Sequence, residues 1–416
     1  MLFRVFSLLI CIFFSSILQG NEAIKTGADQ LLSPAYHHLL KGKRIGLITN
    51  HTAVDSKLTH TMDLILANEK KLQCKLVALF SPEHGFNGSG RAWEKIQNSE
   101  IRDSIPLYSL YGHTRRPTKE MLENIDLLIF DILDIGSRSY TYLSTLCYCM
   151  EEAAKFGIPL IVTDRPNPIG GITVDGPMLE DKWRTFVGYI NVPYCHGMTI
   201  GELALFFNAE YHVGCSLTVI PMKGWKRNML YRDTGLPWIP TSPHIPEPDT
   251  PLFYPTTGLL GELQMVSIGV GYTLPFKVIG APWIDADRFA EHLNRQSFPG
   301  VSFQPFHFRP YYGRYAKEDC HGVLIVIKNP HEYKPVSTQY LIIGILKSLY
   351  PKKFEKALRD SSDRRTMFAK VNGTDNIYDI IEKQQYIVWS LRNYDAEKRE
   401  SFMQKRKKYL ISTYAM

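Results

Sequence analysis

Short apolar runs that stop abruptly at polar residues, separated by segments of helical period, constrain the fold of this chain more than any other feature. Residues 43–49, 75–80, 105–110, 126–131, 158–163 and 216–222 each read as a buried strand. Between them, Met62, Leu64, Ile65 and Leu66 fall at helical spacing. Tyr140, Leu143, Cys147, Met150 and Ala154 step by three or four residues, a helix ended by Gly157. Uniformly apolar strands need cover on both faces, and strands alternating with helices imply a parallel sheet. The expected class is therefore α/β: a Rossmann-like parallel sheet domain plus a smaller C-terminal α/β domain.

At 416 residues the chain exceeds one ordinary core. Proline becomes dense between Pro237 and Pro255 and aromatics are frequent from Trp225 to Trp283, so a boundary is expected near there. The expected organisation is a signal peptide over 1–20, a Rossmann-like catalytic domain over 21–225 and a smaller α/β domain over 226–416 that completes the substrate cleft. The signal reading rests on Arg4, the apolar run 5–14 and the small residue Gly20. That run is shorter than the roughly 20 residues that span a bilayer, which points to export, to a periplasm or the exterior. The net charge of +7 comes partly from Arg399, Lys405, Arg406, Lys407 and Lys408, read as a solvated helix face and not as a nucleic-acid patch. Once Cys11 leaves with the signal, the remaining cysteines read mostly as buried small hydrophobes.

Several strand ends deposit polar groups on what would be one rim of the sheet. They are Asn50 and His51, Glu83 and His84, Asp131, and Asp164 with Arg165 and Asn167. Ligands of open α/β sheets bind at that rim, although Asn50 and Asp131 suit turns and caps equally well. Glu83, Glu94 and Asp175 are the acids on glycine-punctuated or irregular loops. Glycosidic hydrolysis needs one carboxyl group protonated and another ionised. His196 precedes a helix start at Thr199, and Arg138 and Tyr142 flank another; such positions suit an anionic group.

No G-x-G-x-x-G or G-x-x-x-x-G-K-[ST] loop follows these strands, so neither a dinucleotide nor a nucleotide cofactor is expected. No H-E-x-x-H or zinc spacing occurs, so no metal is expected, and the G-x-S-x-G elbow of a serine hydrolase is missing. A two-lobed periplasmic-type binding protein fits the layout as well as an enzyme does.

The chain carries, in order, Phe80-Ser-Pro-Glu-His-Gly85, Asp134-Ile-Gly136 with Tyr140-Thr-Tyr142, Asp164-Arg-Pro-Asn-Pro168, His196-Gly-Met-Thr199 and Gly280-Ala-Pro-Trp-Ile-Asp285. With these landmarks it resembles a bacterial family of exo-β-N-acetylmuramidases, formerly grouped as a domain of unknown function. The resemblance covers nearly everything after the signal. It implies a two-domain glycosidase, without cofactor, that removes terminal N-acetylmuramic acid from the non-reducing end of peptidoglycan fragments or muropeptides. It further implies a catalytic pair among Glu83, Glu94 and Asp175. Substrate contacts are implied at Asn50, His84, Asp131, Arg138, Tyr142, Asp164, Arg165, Asn167 and His196, with Arg138, Arg165 and His196 placed to meet the lactyl carboxylate. The chain departs from the pattern at Asp175, usually glutamate, at Ile268 and Val270, often glutamate and arginine, and at Lys277, often an acid. The alternative is a non-catalytic muropeptide- or sugar-binding protein.

Overall fold

A computed structural model describes residues 23–91, 94–101 and 105–415. The expected signal segment, 1–20, lies outside the described residues. The first sheet is built from β1 (Arg44–Thr49), β2 (Lys75–Ser81), β3 (Ser99–Ile101), β4 (Ile105–Ser109), β5 (Leu127–Asp131), β6 (Leu160–Thr163) and β7 (Leu217–Ile220). Its order is β3-β4-β2-β1-β5-β6-β7. All neighbours pair parallel except the edge strand β3, which runs antiparallel to β4. Without β3 the parallel strands follow the doubly wound order of a dinucleotide-type sheet, third-second-first-fourth-fifth-sixth, and the chain reverses direction between β1 and β5. Their register pairs Thr49 with Asp131, so the strand ends on either side of the switch finish level.

The apolar runs serve both faces. Ile45, Leu47, Leu127, Ile129 and Ile161 join one cluster with Met62 and Ile65 of α1 (Thr61–Leu72). Ile48, Leu128, Phe130, Leu160 and Val162 join the other with α2 (Tyr142–Lys155) and α3 (Ile200–Glu210). That period-two division of near-continuous apolar strands is what a covered parallel sheet requires. Helix α3 opens on a capping box, Thr199 with Glu202, at the place where the S/T-x-x-E pattern predicts one.

The second core continues without a break into the C-terminal part, reaching Ile279, Val323 and Ile342. Here β8 (Val278–Ala281), β9 (Val301–Phe308) and β10 (Cys320–Ile327) form a small antiparallel sheet in the order β8-β10-β9. It packs with α4 (Thr250–Gly261), α5 (Ala286–Asn294) and α6 (Pro335–Leu349). Helix α4 runs through the proline-dense stretch that reads as irregular in the sequence. Pro251 sits at the helix start, where no amide donor is needed, and Pro255 removes one early hydrogen bond.

The basic tail is not wholly a solvated face. Lys405, Lys407 and Lys408 are exposed, but Arg406 is buried and donates to the carbonyls of His196 and Gly197. The six described cysteines are buried free thiols. Among the described residues no helix is long and apolar enough to cross a membrane.

Candidate active site

A cavity of about 600 Å³ lies beyond the carboxyl ends of the parallel strands, walled on its far side by the C-terminal part. Glu83 and His84 reach it because β2 ends at Ser81 and Pro82 turns the chain out of the sheet. Glu83 is buried, and the Thr141 hydroxyl, at the start of α2, donates to its Oε2 at 2.6 Å. Tyr111 also faces this carboxylate; burial first, and the neighbouring negative charge second, push its phenol well above the ordinary value. His84 adopts φ +71° and sets Nδ1 2.7 Å from the Gly90 carbonyl. A carbonyl only accepts, so in the neutral ring the proton sits on Nδ1 and Nε2 keeps its lone pair.

The opposite wall comes from the C-terminal part. Glu262, at the end of α4, accepts from Arg364 Nη2 at 3.0 Å, while Arg364 Nε donates to the Glu262 carbonyl at 3.1 Å. Burial pushes the Glu262 carboxyl up, and the Arg364 charge only partly offsets it. Glu83 and Glu262 are the carboxylates lining the cavity among the described residues, and Tyr254 lies within the electrostatic reach of both. His244 and Arg314 add polar character, whereas Ile268 and Val270 make one apolar side. Arg314 stacks its guanidinium 4.4 Å from the Tyr315 ring centroid and has no carboxylate at salt-bridge distance among the described residues.

The segment 240–245 straps the two parts together. His51 Nε2 meets the Pro240 carbonyl at 2.6 Å, the Tyr140 hydroxyl donates to Thr241 Oγ1 at 2.9 Å, and the Tyr142 hydroxyl to the Thr241 carbonyl at 2.8 Å.

The structure brings together Glu83 and His84 alone among the residues expected to act on substrate. Glu94 is exposed outside the cavity, its carboxylate accepting the Arg91 amide at 2.7 Å. Asp175 is buried and caps α6, accepting the Ser337 amide and hydroxyl at 2.9 Å each. Asp131 and Arg165 form a buried ion pair, Nε to Oδ1 2.5 Å, with the Thr61 hydroxyl on the same carboxylate. Burial pushes Asp131 up, but the Arg165 charge and hydrogen bonds outweigh it and leave the carboxyl below its ordinary range. Asn50 accepts from the amide and hydroxyl of Thr52, an Asx-type turn. Asp164 accepts from Thr199, Gly201 and Tyr414 and is pushed up to about 7 by burial and by Glu202. Asn167 donates to the Met198 carbonyl. Arg138 donates to the carbonyls of Pro177 and Val192 at 2.7 Å, and burial brings it down to about 10. His196 accepts the Met198 amide, and burial, then the Arg406 and Arg138 charges, bring it down to about 3. The buried ones among these side chains take partners within the protein and do not line the cavity.

Thr141, Tyr111, Glu262, Arg364, His244 and Arg314 were not legible as site residues. Thr141 stood inside the Tyr140–Tyr142 motif and offered the one available signal. The others are gathered by tertiary packing.

The family model described as exo-β-N-acetylmuramidase NamZ, N-terminal, matches residues 45–249, and its C-terminal counterpart matches residues 252–411. The chain belongs to the NamZ family. A NamZ relative from Bacillus subtilis (strain 168), a peptidoglycan β-N-acetylmuramidase, is 42% identical over 389 residues, 93% of this chain and 91% of that protein. Among solved structures, one DUF1343 family protein from Bacteroides fragilis is 42% identical with TM-score 0.86, covering 93% of this chain and 98% of that one. A second from the same organism is 30% identical with TM-score 0.72, covering 94% and 99%. The NamZ likeness thus spans the parallel sheet, the cavity and the small antiparallel sheet together.

Proposed function

We propose that the chain is an exported exo-β-N-acetylmuramidase that releases terminal N-acetylmuramic acid from the non-reducing end of peptidoglycan fragments by carboxylate catalysis. The observation that carries this reading is the cavity where Glu83 and Glu262 line facing domains, in a chain 42% identical to a peptidoglycan β-N-acetylmuramidase. Hydrolysis transfers a proton to the departing glycosidic oxygen as that C–O bond breaks, while an oxygen, from a carboxylate or from water, bonds to the anomeric carbon. The half-buried Glu262, its carboxyl pushed up, has the environment of the proton donor, which leaves Glu83 as the second carboxyl group of the pair. Arg314 supplies an accessible cation for the lactyl carboxylate. Export rests on the leader-like run at residues 5–14.

Ile268 and Val270 on the cavity wall favour the second reading, a muropeptide-binding protein, because they are apolar where the family resemblance implies charged groups. Incubating the purified chain with a chromogenic β-N-acetylmuramide and with the MurNAc-GlcNAc disaccharide separates the two. Release of N-acetylmuramic acid supports the enzyme; binding without release from either substrate supports the binding protein.

A further inference from the structure

The loop that contributes Gly313, Arg314 and Tyr315 to the cavity also carries two of the few large aromatic side chains left in solvent. Tyr311 is 70% exposed and Tyr312, next to it, 55% exposed. Single exposed apolar side chains are ordinary, but adjacent ones on a loop that lines a cavity mark a contact surface. The rings are rigidly mounted. The Tyr311 amide donates to the Gly271 carbonyl at 2.7 Å, and the Lys317 amide to the Pro310 carbonyl at 2.8 Å closes the base of the loop. Gly271, at φ +91°, lets the two backbones approach so closely that a Cβ there would lie 2.0 Å from the Tyr312 carbonyl oxygen. Tyr272 stacks beneath Tyr311, centroids 6.3 Å apart at 24°. The Tyr312 hydroxyl meets His244 Nε2 at 2.8 Å, which ties one ring to a cavity-lining side chain.

We infer that Tyr311 and Tyr312 form a subsite for the saccharide on the reducing side of the scissile bond, favouring glycan over simple leaving groups. The inference rests on the glycosidase reading. An enzyme that removes a terminal residue encloses that residue and lets its neighbour emerge past the rim, which this cavity-lining loop supplies. A pyranose ring offers a C–H face to an aromatic ring and hydroxyls to the phenol oxygen, so Tyr matches both halves of the ligand. One face of Tyr311 rests on Tyr272, and the second sugar covers the ring surface left in solvent.

The test compares kcat/KM of the full chain for MurNAc-GlcNAc and for methyl β-N-acetylmuramide, whose leaving groups are both alkoxides but of which only the first fills the rim. In a Tyr311→Ala, Tyr312→Ala double variant the ratio of disaccharide to methyl glycoside should fall about tenfold. The Tyr311→Phe, Tyr312→Phe variant should stay near the parent ratio, because stacking survives. An unchanged ratio, or equal losses on both substrates, would overturn the assignment; equal losses would mean that Tyr312 acts through His244 on the chemistry itself. A loss confined to peptide-bearing fragments would likewise overturn it, in favour of a stem-peptide contact. If the parent chain cleaves neither substrate, the glycosidase reading fails and takes the subsite with it, an outcome distinct from cleavage with an unchanged ratio.

Discussion

The Thr141 hydroxyl, at the start of α2, and the Glu83 carboxylate, just past the end of β2, meet at 2.6 Å beside the cavity. Thr141→Val keeps the side-chain shape and removes the donor. A hydrogen bond to a charged group is worth about 1.5–3 kcal/mol, so kcat/KM should drop by about tenfold or more while the melting temperature shifts little. Unchanged kinetics would show that Thr141 does not orient Glu83.

Asp175 binds Ser337 at the head of α6 and stands away from the cavity. Asp175→Ala should cost stability, about 1–2 kcal/mol as for a lost cap, with kcat retained at a temperature where the variant is folded. Loss of turnover in a fully folded Asp175→Ala protein, followed by circular dichroism and product release, would return this residue to the chemistry.

Arg364 partly offsets the burial that pushes Glu262 up. Replacing it, in Arg364→Met, removes the offsetting charge and moves the Glu262 carboxyl further upward. A proton donor is competent only below its own pKa, so the alkaline limb of the kcat/KM profile should move to higher pH. A limb that stays in place or moves down would remove Glu262 as the donor.

His196 stays neutral in the folded chain down to about 3, against an ordinary 6.5, through burial and the Arg406 and Arg138 charges. Below pH 6.5 the unfolded chain binds this proton and the folded chain does not, so stability falls as the pH drops from 6.5 towards 3. His196→Gln should flatten that part of the urea-midpoint profile. A slope identical to the parent's would show that His196 is not the group responsible.

The parallel sheet was legible because its strands are fully apolar and end in abrupt polarity, as Leu127–Asp131 does. The edge strand Ser99–Ile101 carries no such pattern, and α4 was hidden by Pro251 and Pro255. The site was harder to read for a related physical reason. The residue types that bind ligands at strand ends also satisfy backbone groups and pair with one another there. Asp131 with Arg165, and Asn50 with Thr52, take internal partners that no spacing in the sequence reveals. Glu83 was legible because it follows directly from a strand. Glu262 was not, because only the docking of the C-terminal part turns the end of an unremarked helix towards the cavity.

The most direct measurement is turnover of MurNAc-GlcNAc by Glu83→Gln beside the parent chain, with melting temperatures recorded for both. The parent should release N-acetylmuramic acid, and the variant, folded to the same temperature, should lose at least about 10³-fold in kcat, in keeping with the loss of an essential carboxylate. Near-parental turnover by folded Glu83→Gln would contradict the placement of the catalytic centre at this cavity.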